Sequence, residues 1–275
     1  MKLRYARKPS SRLALYGMLL VAALTMMLCV RTCSVPTLHV STRQPSGGDT
    51  IDVAIEYGPL SFYRYDDTLG GFSYDLLRQM AADHDLKLKF HPIVTIGEAL
   101  GGLDDGLYDV VVAAMPMTER YREDYAFTMP VYIDRQVLVQ LRDSSGNVPV
   151  NSQLDLARHE VWVMAQSPVA DRLHNLASEI GDTIYVVEDP AYGSEQLFIM
   201  TATGEIPSAV VNERIARAMA ADYPRVDVST AVSFNQFQSW ICRKADSLLV
   251  SRLDTVMEAQ RQTEIYRKLS RRYFP

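Results

Sequence analysis

The chain has 275 residues, of which 48% are hydrophobic and 22% charged, which is typical of globular proteins and long enough for one large domain or two smaller ones. Residues 1–33 carry six basic and no acidic side chains, so the remainder holds 22 Lys and Arg against 33 Asp and Glu, a net charge of −11. This acidic body argues against nucleic acid and anionic lipid surfaces as partners, since both attract basic surfaces.

The N-terminal segment predicts export or membrane attachment. Residues 13–30 form an uncharged run of 18 residues, LALYGMLLVAALTMMLCV, preceded by five of the six basic side chains. This order is typical of a signal or anchor, and 18 residues are just enough to span a bilayer as a helix. Residues 1–33 are interpreted as a retained anchor, a lipidated segment acylated at Cys29 or Cys33, or a cleaved signal. Each alternative predicts a periplasmic or extracytoplasmic body, tethered by residues 13–30 or by lipidation, or secreted after cleavage.

A first α/β series follows a linker at residues 34–50, which is rich in Ser, Thr, Pro and Gly. Hydrophobic periodicity and turn residues predict, in order, strand 51–56, a hairpin-like reversal at 66–71, helix 72–84, strand 86–90, helix 96–103 and strand 108–115. Alternating strands and helices predict a parallel sheet with helices on its faces.

A second series has the same alternation. Its predicted elements are strand 161–165, helix 168–180, strand 183–187, helix 194–203, strand 209–212 and helix 213–222. Residues 131–141 and 234–243 are predicted as two long strands, and residues 246–273 as mostly helical. Two α/β series joined by two long strands predict two lobes with a double crossover.

Four sequence motifs in order resemble family 3 of the bacterial solute-binding proteins, the periplasmic amino-acid-binding type. The matching stretches are GFSYDL at 71–76, GLDDGLYDVVV at 102–112, MTER through FTMPVY at 117–132, and IYRK with YF at 265–274. The resemblance implies an α/β fold of periplasmic-binding-protein type II: two α/β lobes, a two-strand hinge and a ligand cleft between the lobes. It assigns residues 51–137 and 238–275 to lobe 1, and residues 138–237 to lobe 2.

The resemblance also implies ligand positions in lobe 1. Tyr57 matches the aromatic residue that stacks on the ligand, although it is also placed to pack against its own lobe. Ala114 and Pro116 match positions that bind a carboxylate, and Thr118 matches the family threonine that follows them. At Ala114 and Pro116 only backbone groups could bind a carboxylate, and Pro116 has no N–H to donate.

The family arginine that grips a carboxylate with two hydrogen bonds matches Tyr121. Arg120 and Arg122 flank it, but a shift of one residue turns a helical side chain by about 100°, so these arginines are equally interpreted as solvated helix charges.

In lobe 2, Ser167 matches a helix start that donates N–H groups to a carboxylate, and simple helix capping explains it as well. The acidic residue that pairs with a ligand ammonium matches Asn212, which cannot supply a full counter-charge. Both anchors of a zwitterion are therefore altered, and the hypothesis is that the ligand is not an ordinary α-amino acid. A small polar ligand such as a cell-wall fragment, a short peptide or a neutral molecule would fit better.

Asp134–Gln140, together with the anchor, is similar to the front half of membrane-bound lytic murein transglycosylases, which continue into a lysozyme-like catalytic domain with a glutamate acid. Because this chain stops at Pro275, where that domain would begin, we expect it to contain at most the front, sensor half of such a protein and not the catalytic domain. Two functions are therefore expected: a solute-binding protein for transport or sensing, with an ABC-type permease or a cell-wall enzyme as partner, or a non-catalytic muropeptide-sensing module.

A third interpretation, a cyclohexadienyl-dehydratase-like enzyme, would place carboxylates and a histidine in the cleft. The five histidines and three cysteines form no metal-binding spacing, and no nucleophile motif is present. The sequence therefore predicts that the protein is not an enzyme, with no catalytic residues, metal or cofactor.

Overall fold

The computed structural model describes residues 50–274, which form two α/β lobes. The strands are β1 (Thr50–Glu56), β2 (Tyr63–Tyr65), β3 (Thr68–Gly70), β4 (Lys87–Ile93), β5 (Val110–Val112), β6 (Tyr125–Phe127), β7 (Tyr132–Asp134), β8 (Gln136–Leu141), β9 (Glu160–Met164), β10 (Tyr185–Asp189), β11 (Ser208–Asn212), β12 (Val226–Asp227), β13 (Gln236–Gln238) and β14 (Ile241–Arg243). The helices are α1 (Phe72–His84), α2 (Ile96–Asp104), α3 (Glu119–Asp124), α4 (Pro168–Ile180), α5 (Ser194–Thr203), α6 (Glu213–Ala220), α7 (Ser247–Arg261) and α8 (Glu264–Tyr273), with a 3₁₀ turn at Gln153–Leu156. The predicted signal or anchor segment and all but the last residue of the linker lie outside the described residues.

The sheet of lobe 1 has the strand order β4-β1-β5-β14-β6. Strand β1 pairs in parallel with β4 and β5, and β14 runs antiparallel between β5 and β6. Six consecutive residues of β1 are buried, as expected for a strand with both faces covered. The helix predicted over Phe72–His84 is confirmed over the same residues and buries Leu76, Leu77 and Met80.

The sheet of lobe 2 has the order β10-β9-β11-β8-β12. Strands β10, β9 and β11 are parallel, and β8 is antiparallel to β11 and β12. Helix α4 begins with Pro168, whose fixed backbone angle suits a first helical position, and ends at Gly181 in the left-handed conformation.

The predicted two-strand hinge is present, but the prediction that its strands are long is wrong, because each stretch divides into two short strands that belong to different sheets. Residues 132–141 divide at Arg135 into β7 and β8, and residues 236–243 divide into β13 and β14. Strand β7 pairs with β13, whereas β8 and β14 join the sheets of lobes 2 and 1. The β7–β13 pair is therefore the two-strand hinge. Beyond this pair, the chain continues into the sheets of the two lobes. The predicted lobe limits at residues 137 and 238 fall within β8 and β13.

The predicted C-terminal helix also divides in two. Helix α7 ends at Arg261, and the Thr263 hydroxyl accepts a hydrogen bond from the Tyr266 amide at the start of α8. A threonine at this position is a good helix N-cap, so a separate helix starts after it.

The two lobes are packed together in this structure. One cluster of buried apolar side chains includes Ile96 and Leu100 of α2, in lobe 1, and Met164 and Leu197 of lobe 2. Burying apolar surface stabilises a contact by roughly 25 cal/mol per Å². The structure thus shows the lobes closed on each other, and this sets the shape of the cleft.

Within residues 50–274, none of the helices has the length and apolar character needed to cross a membrane. The run predicted to do so, residues 13–30, is not among the described residues.

Candidate functional site

The cleft lies where strands of both lobes end. Glu56 ends β1, Ala114 follows β5, Ser167 follows β9 and Asn212 ends β11. The carboxyl ends of parallel strands are the usual place for ligands in open α/β sheets, because loops and helix N-termini converge there. The two sheets therefore place these four positions around one interlobe space.

The deepest part of this space is nearly filled. A cavity of about 20 Å³ remains, lined from lobe 1 by Ile96, Ala114 and Pro116 and from lobe 2 by Met164 and Asn212, among others. This volume is close to that of one water probe. In this closed form the inner cleft holds no amino-acid-sized space.

Tyr121 is one reason for the filled cleft. Its side chain is buried, and its hydroxyl donates a hydrogen bond of 2.6 Å to the carbonyl oxygen of Gln166, across the lobe boundary. Burial raises the pKa of Tyr121, so the hydroxyl remains a donor. Beside it, a Cβ placed on Gly97 would lie 2.3 Å from Oε1 of Gln166. Tyr121, at the position for which the family resemblance predicts an arginine, thus joins the lobes.

A larger pocket of about 440 Å³ opens next to the filled cleft. It is lined by Pro116, Thr118 and Arg120 from lobe 1, and by Gln136 and Asp171, among others, from lobe 2. Its volume is in the range of roughly 300–1,000 Å³ that small-molecule sites have. This outer pocket is the candidate ligand site.

An ion pair closes the rim of the outer pocket. Nη1 of Arg120 lies 2.8 and 2.6 Å from the two carboxylate oxygens of Asp171, on helix α4 of lobe 2. Both side chains are exposed, and exposed pairs contribute about 0–1 kcal/mol. Such a pair joins the lobes weakly enough to open and close.

Unpartnered polar groups line the outer pocket. Gln136 is 2% exposed, and neither its amide nitrogen nor its amide oxygen has a hydrogen-bond partner among the described residues. The buried Thr118 hydroxyl, also at this pocket, likewise has none in that part of the chain. A buried polar group without a partner costs about 1–3 kcal/mol. Gln136 lines both the outer pocket and the small cavity, and its two amide atoms are themselves buried.

Carboxyl groups border the inner cleft. Glu56 is buried, and its Oε2 accepts a hydrogen bond of 2.8 Å from the Ala114 amide. Desolvation raises the pKa of Glu56 to about 7, against the smaller lowering by that hydrogen bond, and Glu195 of lobe 2 raises it further. Desolvation also raises the pKa of Asp134 in the hinge to about 6. The sequence analysis considered only Asn212 at the acidic position of the cleft. The structure adds Glu56 and Asp134, two carboxyl groups with raised pKa values.

The structure brings most of the predicted ligand positions to this region. Ala114, Pro116, Ser167 and Asn212 line the small cavity, and Pro116 also lines the outer pocket with Thr118 and Arg120. The Ser167 hydroxyl donates to the Met164 carbonyl oxygen at 2.7 Å, so it is already satisfied within lobe 2.

Three predicted positions line neither space: Tyr121, whose bond to Gln166 is described above, Tyr57 and Arg122. Tyr57 packs edge-to-face against Phe62 of its own lobe, with ring centroids 6.3 Å apart, and is 38% exposed. Arg122 is exposed and lies 2.6 Å from the sulfur of Met117. As ligand positions, all three stay predictions from the family resemblance.

Sequence analysis missed Glu56, Gln136 and Asp171. Glu56 carried a usable signal, because an acidic residue that ends an apolar strand sits at the ligand edge of a parallel sheet. Gln136 and Asp171 carried none, because which side chains of one lobe face the other depends on how the lobes close.

Within the described part of the chain, no group of three or more His, Cys, Asp or Glu side chains is arranged to hold a metal ion.

Comparison with known sequences gives a family match and a set of relatives. The model of "Bacterial extracellular solute-binding proteins, family 3" matches residues 50–275. The membrane-bound lytic murein transglycosylase F of Aeromonas hydrophila is 28% identical over 237 residues, which are 86% of this chain and 47% of that protein. The one of Shewanella pealeana is 24% identical over 234 residues, 85% of this chain and 48% of that protein. The chain therefore spans about half the length of the curated relatives it matches.

Solved structures confirm the predicted fold, an α/β fold of periplasmic-binding-protein type II. An ancestral arginine-binding protein bound to arginine superposes with a TM-score of 0.71 at 22% identity, covering 83% of this chain and 99% of that one. A putative L-cystine ABC transporter protein from Listeria monocytogenes has a TM-score of 0.70 at 19% identity, with 82% and 96% coverage. At these identities the likeness shows the fold alone.

The relatives correct one prediction. The sequence predicted that the protein is not an enzyme, but the transglycosylases that it matches are named as enzymes. The match covers the half of those proteins that corresponds to a binding-protein fold. The absence of a nucleophile motif therefore says nothing about the whole protein to which such a fold belongs.

Proposed function

The chain belongs to family 3 of the bacterial extracellular solute-binding proteins, and from this premise we propose that it binds a small polar ligand in the outer pocket between its lobes. The ligand would be held by Gln136 and Thr118 and enclosed by the Arg120–Asp171 pair. The protein would act outside the cytoplasm, tethered to the membrane through residues 13–30 or by lipidation, in transport or in sensing.

One observation carries this proposal: Gln136 lines a pocket of about 440 Å³ built from both lobes, and its buried amide has no hydrogen-bond partner for either polar atom within residues 50–274. Natural proteins rarely bury such groups without a reason. A ligand rich in amides or hydroxyls would pair with the nitrogen, the oxygen and the nearby Thr118 hydroxyl. The ligand then gains hydrogen bonds that the empty protein lacks.

The charge pattern supports a ligand other than a free α-amino acid. Of the arginines that line the pocket, Arg120 forms an ion pair with Asp171 and Arg172 forms one with Glu179. In the inner cleft, Tyr121 replaces the family's arginine and is itself bonded to Gln166. A carboxylate would find no unpaired arginine at the family position.

A muropeptide is the ligand class that a second observation favours. The matched relatives act in murein metabolism by name, and the matched region is the same solute-binding fold. Muropeptides carry amides and hydroxyls, which suit Gln136 and Thr118. Under this alternative the partner is a cell-wall enzyme, and under the transport alternative it is an ABC-type permease.

Gln136→Leu tests the proposed site. Leu is close to Gln in size and removes both unpartnered atoms, so we expect the free protein to keep or gain stability while ligand affinity falls roughly tenfold, through lost hydrogen bonds. The measurement is native mass spectrometry of small molecules that co-purify with the full-length chain, with thermal unfolding of both proteins.

Gln140→Leu is the matched contrast. Gln140 lies on the same strand and is equally buried, but its amide bonds both the N–H and the carbonyl oxygen of Val150. This variant should lose stability and keep ligand occupancy. Equal ligand occupancy in wild type and Gln136→Leu would refute the site.

A further inference from the structure

A second pocket lies between the lobes and shares no lining residue with the outer pocket. Its volume is about 510 Å³. Its lining includes Arg214 and Arg217 of α6 from lobe 2, and Tyr63, Arg272 and Phe274 from lobe 1. We call these five residues and the space they enclose the arginine groove.

The groove is positively charged in an otherwise acidic body. Three arginines line it, and the described lining contains no carboxylate. Arg217 is held by Glu213, which also binds Arg135, so this one acid is shared between two guanidinium groups. Arg272 has no ion-pair partner within residues 50–274. Clustering like charges is unfavourable unless an anion neutralises them.

Aromatic contacts hold two of the guanidinium groups in place. Arg214 lies over the ring of Phe274 at 4.2 Å from its centroid, and its Nε donates to the Ile133 carbonyl oxygen at 3.1 Å. Arg272 lies 5.3 Å from the centroid of the Tyr273 ring. Stacking leaves the edges of a planar guanidinium open to bind carboxylate or phosphate oxygens.

We propose that the arginine groove binds a small ligand that carries two or more carboxylate or phosphate groups and is held between α6 of lobe 2 and α8 of lobe 1. Carboxylates and phosphates present the same paired oxygens to arginine, so the geometry defines this shared chemistry. Because both lobes supply arginines, a bound anion stabilises the relative position of the lobes seen here. Its occupancy is thereby linked to the closure of the outer pocket.

Titration calorimetry of the full-length chain at low ionic strength tests the proposal with two probes, citrate for carboxylates and pyrophosphate for phosphates. We expect saturable 1:1 binding of at least one probe, weakening as salt is added, because the arginines are partly exposed. The probe that binds identifies the source of the anionic groups. Failure of both probes to bind at millimolar concentration would overturn the proposal.

Substitutions separate a built site from general attraction. Arg272→Ala in lobe 1 and Arg217→Ala in lobe 2 should each weaken the affinity for the probe at least fivefold. Arg271→Ala is the matched control, since Arg271 is the exposed neighbour on α8 and lines no groove, and it should change affinity less than twofold. Equal losses in Arg271→Ala and Arg272→Ala, or no loss in Arg217→Ala, would refute a groove built from both lobes. Unfolding temperatures should stay within about 2 °C of wild type, because both side chains are exposed.

Gln136→Leu keeps this test separate from the proposed function. That variant should bind citrate or pyrophosphate as wild type does, because Gln136 does not line the arginine groove. Loss of probe binding in Gln136→Leu would contradict an anion site formed by the arginine groove alone, which Gln136 does not line.

Discussion

Glu56→Gln should stabilise the protein by about 3 kcal/mol at pH 8 and change its stability little at pH 4. Burial raises the pKa of Glu56 from an ordinary 4.5 to about 7, so the folded protein keeps a proton that the unfolded chain has released. Wild-type stability is therefore fully present below about pH 4.5 and falls as the pH rises to about 7. At about 1.4 kcal/mol for each tenfold difference in proton affinity, the loss comes to about 3 kcal/mol.

Gln has no proton to lose and keeps an oxygen for the Ala114 amide, so the variant should lack this decline. The measurement is urea unfolding of both proteins at pH 4, 6 and 8. Asp134, whose pKa is raised to about 6, remains in both proteins, so the difference between them isolates Glu56. Glu258→Gln, at an exposed position of α7, is the control and should follow wild type. A Glu56→Gln variant that is less stable than wild type at pH 8 would show that the charged form of Glu56 is favoured in the cleft.

Gly193→Ala should hold the lobes apart. Gly193 precedes α5 in lobe 2 with φ near −86°, a value that Ala adopts without strain, so only the added methyl group matters. That Cβ would lie 2.7 Å from the carbonyl oxygen of Val94 in lobe 1, a backbone atom that cannot rotate away. Overpacking of this kind costs about 1–3 kcal/mol, and lobe separation relieves it.

The expected result is a larger radius of gyration in small-angle X-ray scattering, with secondary structure unchanged. Gly101→Ala is the matched control, because no atom lies within 4 Å of its Cβ position on α2. This control should keep the compact radius and gain up to about 1 kcal/mol from helix propensity. An unchanged radius in Gly193→Ala, with only a lower melting temperature, would mean that the contact is not what sets closure.

The elements that the sequence predicted well are those governed by local patterns. Helix α1 was predicted to the residue, because its apolar spacing and the preceding glycine are both local signals. The four family motifs predicted the two-lobed fold, and they led to the Tyr121 and Asn212 positions.

The elements that it predicted poorly depend on tertiary pairing. The stretch at 131–141 has continuous strand character, yet it divides at Arg135, because its two halves pair with different partners. Gln136 looks like an ordinary buried strand residue until the lobes are placed face to face. The pKa of Glu56 is raised because its carboxyl group is buried in the folded chain. Contacts between lobes leave no periodic pattern of residues in a single sequence, so they could not be predicted from it.

The central claim is that this cleft accepts a small polar ligand other than a free α-amino acid. Titration calorimetry of the full-length protein with each of the twenty amino acids tests it most directly. We predict no binding at micromolar dissociation constants, because Tyr121, at the position for which the family resemblance predicts an arginine, donates its hydroxyl to the Gln166 carbonyl oxygen and offers no guanidinium group. Micromolar binding of any one of the twenty would contradict the claim.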